Sequence, residues 1–210
     1  MKKKKRILIL SLLKNKYKLN RNTELIFSTA FECLIAVMLS AQTRDITVNR
    51  ITKVLFSIAN NPKKIISLGE KNLINLIKNI GLYKNKTKNL IQTCKILLKK
   101  YNGIVPNNRE SLESLPGVGR KTSNVILNII FNKKKIAVDT HVFRVCNRTG
   151  FAVGKNPRLV ERILLKVVPN YYKLYVHNWF LLHGKNFCKA RKMHCKICFL
   201  NNLCEFNKKL

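Results

Sequence analysis

The sequence predicts an all-α protein with a metal-binding loop near its C-terminal end, on three observations. Apolar residues recur at helical spacing along most of the 210-residue chain. No sustained period-two alternation marks a strand, and no solenoid repeat or linker-like segment interrupts the pattern. Four of the seven cysteines, Cys188, Cys195, Cys198 and Cys204, crowd into the end of the chain. About ten short helices account for the periodicity, and 46% hydrophobic content is enough for one large core or two modest ones.

The elements follow in order. Met1 to Arg6 is basic and leads into Ile7–Leu10, the opening of a leader-like pattern. Lys14 and Lys16 cut that apolar run short and no small-residue cleavage site follows, so it reads as a basic amphipathic helix. Phe31, Leu34, Ile35, Met38 and Leu39 lie in a run apolar on nearly every face, the mark of a buried central helix. Val48, Ile51, Leu55 and Ile58 form a one-sided stripe. Leu73, Leu76, Ile77 and Ile80 form another, with Gly81 as its expected stop. Leu90, Ile91, Cys94, Leu97 and Leu98 repeat the pattern up to Asn102-Gly103. A short helix is expected over Arg109–Ser114, and a longer one after Gly119 carries Val125, Ile126, Ile129 and Ile130. Asn156-Pro157 is a cap followed by proline at the first helical position. Leu174–Leu182 completes the series, with Gly184 expected to stop it.

The longest apolar stretch, Cys33 to Leu39, is far too short to span a bilayer, so a soluble cytoplasmic protein is expected. There Cys33, Cys94 and Cys146 should be reduced and buried. The net charge is +33, from 42 basic residues against 9 acidic ones. Charge this one-sided favours a polyanionic partner, and nucleic acid is the usual one. The joint richness in Lys, Ile and Asn also fits AT-rich codons, which would leave many lysines on solvated faces without a role.

The four clustered cysteines leave gaps of six, two and five residues. A zinc ribbon pairs two C-x2-C knuckles and a C2H2 finger needs two histidines, and the spacing fits neither. Four thiolates without a zinc pattern favour a [4Fe–4S] cluster, with zinc as the alternative.

Leu115-Pro116-Gly117-Val118-Gly119-Arg120-Lys121-Thr122 is the richest segment. Its glycines permit a tight hairpin between two helices. The amides at the start of the second helix then face outward and suit a phosphate. This is the logic of a helix–hairpin–helix element, which grips a nucleic-acid backbone without reading sequence. Gly117, Val118, Gly119 and Arg120 are therefore candidate backbone contacts. Lys121 sits at the helix mouth beside Arg120, where an ammonium is disfavoured. It reads either as a nucleophile able to form a Schiff base or as one more phosphate contact. Asp139, one of only two aspartates, stands in the apolar stretch Ile136–Val142. It suits a helix cap, and a fixed carboxylate also suits proton transfer or stabilisation of a developing cation. His141 is a phosphate contact or a structural histidine.

With these residues in hand, the chain resembles the endonuclease III family of bacterial helix–hairpin–helix DNA glycosylases. The resemblance rests on Leu115–Asn124, Val138–Arg144, Leu39-Ser40-Ala41-Gln42, Ile80-Gly81-Leu82-Tyr83 and the spacing of the four cysteines, in order over essentially the whole length. It implies that Lys121 attacks C1′ of a damaged nucleotide and that Asp139 assists. The Schiff base then allows β-elimination at the abasic site. It implies that Gln42 fills the gap left by the extruded base and that Leu82 wedges the opposite strand. It implies that Cys188, Cys195, Cys198 and Cys204 bind [4Fe–4S], with Lys189, Arg191 and Lys192 on phosphates. The implied fold is a helical barrel domain over residues 23–132 and a cluster domain made of 1–22 and 133–210, facing a DNA groove. The implied substrates are oxidised or ring-fragmented pyrimidines in damaged double-stranded DNA, handled by a nucleoid-associated monomer. Thr43, Arg44 and Ser123 are small departures from the family pattern. The rivals are an adenine-excising relative, which lacks a hairpin lysine, and a non-catalytic nucleic-acid-binding protein with a structural metal.

Overall fold

A computed structural model describes residues 1–19 and 23–206. Among them lie ten α-helices and no strand: α1 (Lys3–Tyr17), α2 (Ala30–Ser40), α3 (Asp45–Ile58), α4 (Pro62–Ile77), α5 (Tyr83–Tyr101), α6 (Arg109–Glu113), α7 (Arg120–Ile129), α8 (Thr140–Thr149), α9 (Pro157–Val167) and α10 (Val176–Asn186). Short 3₁₀ turns follow at Asn170–Tyr172, Cys195–Ile197 and Asn201–Leu203. No described helix is long and apolar enough to cross a membrane.

The chain divides into two compact units, Thr23–Phe131 and the pair Met1–Asn22 with Asn132–Leu210. The first is built on α2, which is buried from Phe31 through Leu39 and packs against α3, α5 and α7. Its continuous burial explains why its apolar residues cover every face. Thr29 caps α2 by accepting from the Glu32 amide at 3.1 Å, while the Glu32 carboxylate accepts from the Ser28 amide at 2.6 Å. The first bond is an N-cap, and in the second the first-turn acid reaches back to the amide just before the cap.

In the second unit, Ile9, Leu10 and Leu13 of α1 are fully buried among Val142, Val145, Phe151, Trp179 and Phe180. Of the leader-like run, Ile9 and Leu10 are thus core, while Ile7 and Leu8 stay exposed on the other face of the helix. Trp179 Nε1 donates to the Lys18 carbonyl at 2.8 Å and Arg6 Nε to the Phe151 carbonyl at 2.9 Å, tying both ends of α1 to residues far along the chain. Asn156 caps α9 through the Leu159 amide, with Pro157 at the first helical position.

Three glycines act differently from the sequence expectation or sharpen it. Gly184 does not stop α10, which runs on to Asn186. A Cβ there would lie 2.9 Å from His141 Cβ and 3.3 Å from Val145 Cγ2, so its smallness lets α10 press against α8. Gly81 is not the left-handed stop of α4, which ends at Ile77; a Cβ at Gly81 would lie 3.4 Å from the Gln42 carbonyl oxygen. Gly69, at φ 78° and ψ 161°, puts a kink inside α4 that helical spacing does not reveal. The helix before the hairpin is α6, one residue shorter than expected, with Ser114 as its C-cap.

Candidate functional site

The hairpin joins α6 to α7 through Leu115–Gly119. Leu115 and Val118 are buried and anchor it, and the Val118 amide returns to the Leu115 carbonyl at 3.0 Å. Gly117 has φ 80°, a left-handed backbone that a side chain resists, and a Cβ there would meet Asn89 Nδ2 at 2.9 Å. From the same side, Thr93 Oγ1 of α5 donates to the Pro116 carbonyl at 3.0 Å. Gly119 is the N-cap of α7 and supplies no side-chain cap to the first-turn amides. An α-helix N-terminus whose cap has no side chain keeps backbone donors available to an anion. Behind it, Arg109 Nη2 donates to Asn124 Oδ1 at 2.6 Å and pairs with Glu113 at 3.7 Å, and Ser123 Oγ bonds Glu113 at 3.0 Å. These contacts join α6 to α7 and fix the hairpin angle. Arg120 is half-buried, and Lys121 is exposed on the first turn of α7.

Asp139 belongs to the other unit. It is the N-cap of α8, and its Oδ1 accepts from the Val142 amide at 2.8 Å. Its Oδ2 lies 3.4 Å from His141 Nδ1. Ile136, Ala137 and Val138 before it are buried, while the Asp139 side chain keeps 18% exposure. The carboxylate is thus oriented by the helix it caps and still reaches solvent.

Gln42 and Leu82 occupy the same unit as the hairpin. Both are exposed and both have left-handed backbones, φ 57° and 60°. Leu82 is 59% exposed, which excludes a place in the core. Gly81 brings its strand of chain against the Gln42 carbonyl.

The four C-terminal cysteines carry no disulfide and line one pocket together with His183 and Arg148. Burial pushes the Cys198 thiol up, and the charges of Cys204, Cys188 and Cys195 add to the effect. No three described His, Cys, Asp or Glu side chains meet closely enough for a single metal ion. A [4Fe–4S] cluster takes one thiolate at each of four iron atoms, and the four thiols that line this one pocket match that donor set. Lys189, Arg191 and Lys192 are exposed on the loop between the first two cysteines, and Lys192 has φ 52°.

Sequence reading passed over the side chains that hold this loop. Arg148 of α8 donates through Nη1 to the Lys189 carbonyl at 2.7 Å, through Nη2 to Ala190 at 3.2 Å, and approaches Cys188 Sγ at 3.7 Å. Arg144 donates to the Cys188 and Gly184 carbonyls at 2.9 and 3.0 Å. Their spacing of four on α8 was the available signal, hidden among many basic residues. His183, 1% exposed, stacks on Phe187 and places Nε2 3.5 Å from Cys198 Sγ. Burial lowers its pKa to about 4, which keeps the imidazole neutral.

The family model described as HhH-GPD superfamily base excision DNA repair protein matches residues 35–170. Endonuclease III of Buchnera aphidicola subsp. Acyrthosiphon pisum (strain APS) is 59% identical, covering 100% of both chains. The chain belongs to the endonuclease III family. Endonuclease III of Escherichia coli (strain K12) is 51% identical over 100% of this chain and 99% of that one. A solved endonuclease III, trapped with DNA as a covalent intermediate, is 39% identical with a TM-score of 0.94, covering 100% of this chain and 98% of that chain. Membership in the endonuclease III family makes the chain a base-excision repair enzyme, a DNA glycosylase and abasic-site lyase.

Proposed function

We propose that this chain removes oxidised pyrimidines from duplex DNA and cleaves the resulting abasic site through a Schiff base on Lys121. The observation that carries the reading is Lys121 itself: an exposed amine on the first turn of α7, two residues past the glycine N-cap, in a family with a DNA-linked covalent intermediate. The amine attacks C1′, and the glycosidic bond breaks as the base leaves with the bonding electrons. Asp139 accepts the proton that Lys121 gives up and stabilises the cationic character at C1′. Opening of the sugar ring at the C1′–O4′ bond yields the iminium. Loss of a C2′ proton then expels the 3′ phosphate by β-elimination, and hydrolysis of the imine frees Lys121.

Hairpin residues Gly117, Val118, Gly119 and Arg120 hold the backbone phosphates, with His141, Lys189, Arg191 and Lys192 as further contacts. Gln42 fills the gap left by the extruded base and Leu82 wedges the opposite strand, which offsets an unstacking cost on the order of a few kcal/mol. Cys188, Cys195, Cys198 and Cys204 hold a [4Fe–4S] cluster, which when bound crosslinks the segment that presents Lys189–Lys192. Residues 23–132 act as the hairpin domain, and 1–22 with 133–210 as the cluster domain. The enzyme works as a monomer in the cytoplasm, at the nucleoid.

Borohydride trapping on a duplex with one abasic site tests the reading. Wild type should form a covalent adduct and cut the strand. Lys121→Ala should do neither while still binding the duplex. An adduct formed by the variant would assign the chemistry to another amine.

A further inference from the structure

Lys86 lies on α5, one turn beyond Leu82, and its amide donates to the Leu82 carbonyl at 3.0 Å. In sequence it is one lysine among many. In the structure it is 8% exposed. Its Nζ donates to the Leu39 carbonyl at 2.8 Å and the Ala41 carbonyl at 2.5 Å, with Thr43 Oγ1 at 3.4 Å. An ammonium has three donors and no acceptor, and three oxygens face it here.

Those oxygens belong to the last turn of α2 and the residues just past it. Ser40 ends α2 and Ala41 is its C-cap. Carbonyls at a helix C-terminus have no amide partner within the helix and carry the negative end of its dipole. Lys86 answers both needs. Burial draws its ammonium below the ordinary lysine range, and the three oxygens oppose that loss.

The clamped segment leads straight into Gln42. A left-handed backbone at a residue other than glycine persists only where its surroundings over-determine it. Gln42 and Leu82 are two such residues, on two loops, both exposed. The Thr43 amide closes the Gln42 turn onto the Ser40 carbonyl at 3.1 Å. Gly81 lets the second loop touch the Gln42 carbonyl. Lys86 bonds to the frame of both, through its backbone to Leu82 and through its ammonium to Ala41 and Thr43.

We propose that Lys86 is a positioning residue for nucleotide extrusion: its buried ammonium locks the Gln42 loop to the Leu82 loop, so the two side chains enter the duplex as one preset wedge. The inference rests on the reading of Gln42 and Leu82 given above. It adds a lysine that touches neither DNA nor the reacting atoms and acts through the backbone that carries both.

The test compares two reactions of one preparation of Lys86→Met, which keeps the length and removes the charge. The first is single-turnover excision of an oxidised pyrimidine from a duplex, which requires extrusion. The second is borohydride trapping on a preformed abasic site in a single strand, with no base to extrude and no opposite strand to wedge. Excision should fall about tenfold or more, as misplacement of a positioning group does, and trapping should hold within about twofold. A merely structural lysine would lower both in proportion, because both scale with the folded fraction. Proportional loss, or unchanged excision, overturns the proposal. If Lys86→Met does not fold, Lys86→Gln is read by the same ratio. In a Gln42→Ala background, Lys86→Met should add less than its single-variant loss, and full additivity would also overturn it. Absence of trapping by the wild type would instead defeat the Schiff-base reading and leave the clamp to be judged by excision alone.

Discussion

Asp139 Oδ1 accepts the Val142 amide at 2.8 Å, so the carboxylate that sequence reading singled out is held by the first turn of the helix it starts. A cap of this kind fixes both the rotamer and the direction of the remaining oxygen.

Asp139→Asn separates capping from chemistry. Asparagine caps a helix about as well as aspartate, so thermal stability should change by less than about 1 kcal/mol. It accepts protons poorly, so single-turnover base excision should fall on the order of 10²-fold. Unchanged excision with an unchanged melting temperature would leave Asp139 as a cap alone.

The seven cysteines should sort into two classes by alkylation. Burial pushes the Cys33 and Cys94 thiols from 9.0 up to about 12. That change leaves roughly 1000-fold less thiolate at neutral pH. Cys146 is raised as well, by burial and then by the Asp139 carboxylate. Brief iodoacetamide labelling of native protein, read by mass spectrometry, should spare these three. The purified holoprotein should be yellow-brown with stoichiometric iron and sulfide, and its four C-terminal cysteines should label only after the metal is stripped. A colourless protein with stoichiometric zinc after anaerobic purification would replace the cluster with an ion.

Salt dependence of DNA binding should report a local face rather than the whole charge. Each neutralised phosphate contributes about 0.9 to the magnitude of the log–log slope on duplex DNA. Replacing Arg191 and Lys192 with alanine should lower that magnitude by about 2, on damaged and undamaged duplex alike. Replacing Lys3 and Lys4, exposed on the first turn of α1, should do much less. Equal effects from the two pairs would mean that the +33 charge acts diffusely.

Gly184→Ala sets helix propensity against packing. Alanine favours a helix interior over glycine by about 1 kcal/mol. Its Cβ would sit 2.9 Å from His141 Cβ and 3.3 Å from His141 Cα, on the helix that carries Asp139. Overpacking of this kind costs about 1–3 kcal/mol. The net expectation is a lower melting temperature and reduced excision. A variant as stable as wild type would mean that α8 and α10 yield freely at this contact.

Much of the architecture is local and therefore written in the sequence. The all-α class follows from apolar spacing, the start of α9 from Asn156-Pro157, and the hairpin from glycines flanking Val118. Each depends on backbone preferences and hydrogen bonds within a few residues. The four cysteines are legible for the same reason, since thiolates at short spacing restrict the chemistry before any fold is known. What only the tertiary structure decided involves partners far apart in the chain. Lys86 differs from its neighbouring lysines because residues some 45 positions away enclose it and present three oxygens. Arg148 holds the Lys189–Ala190 loop across about 40 residues of chain, and Gly184 is small because His141 needs the room. A lysine, an arginine or a glycine has the same local preferences wherever it stands. Desolvation, a long-range hydrogen bond and a steric limit arise only when the chain returns to the same place, which is why those three roles are invisible in the sequence and plain in the fold.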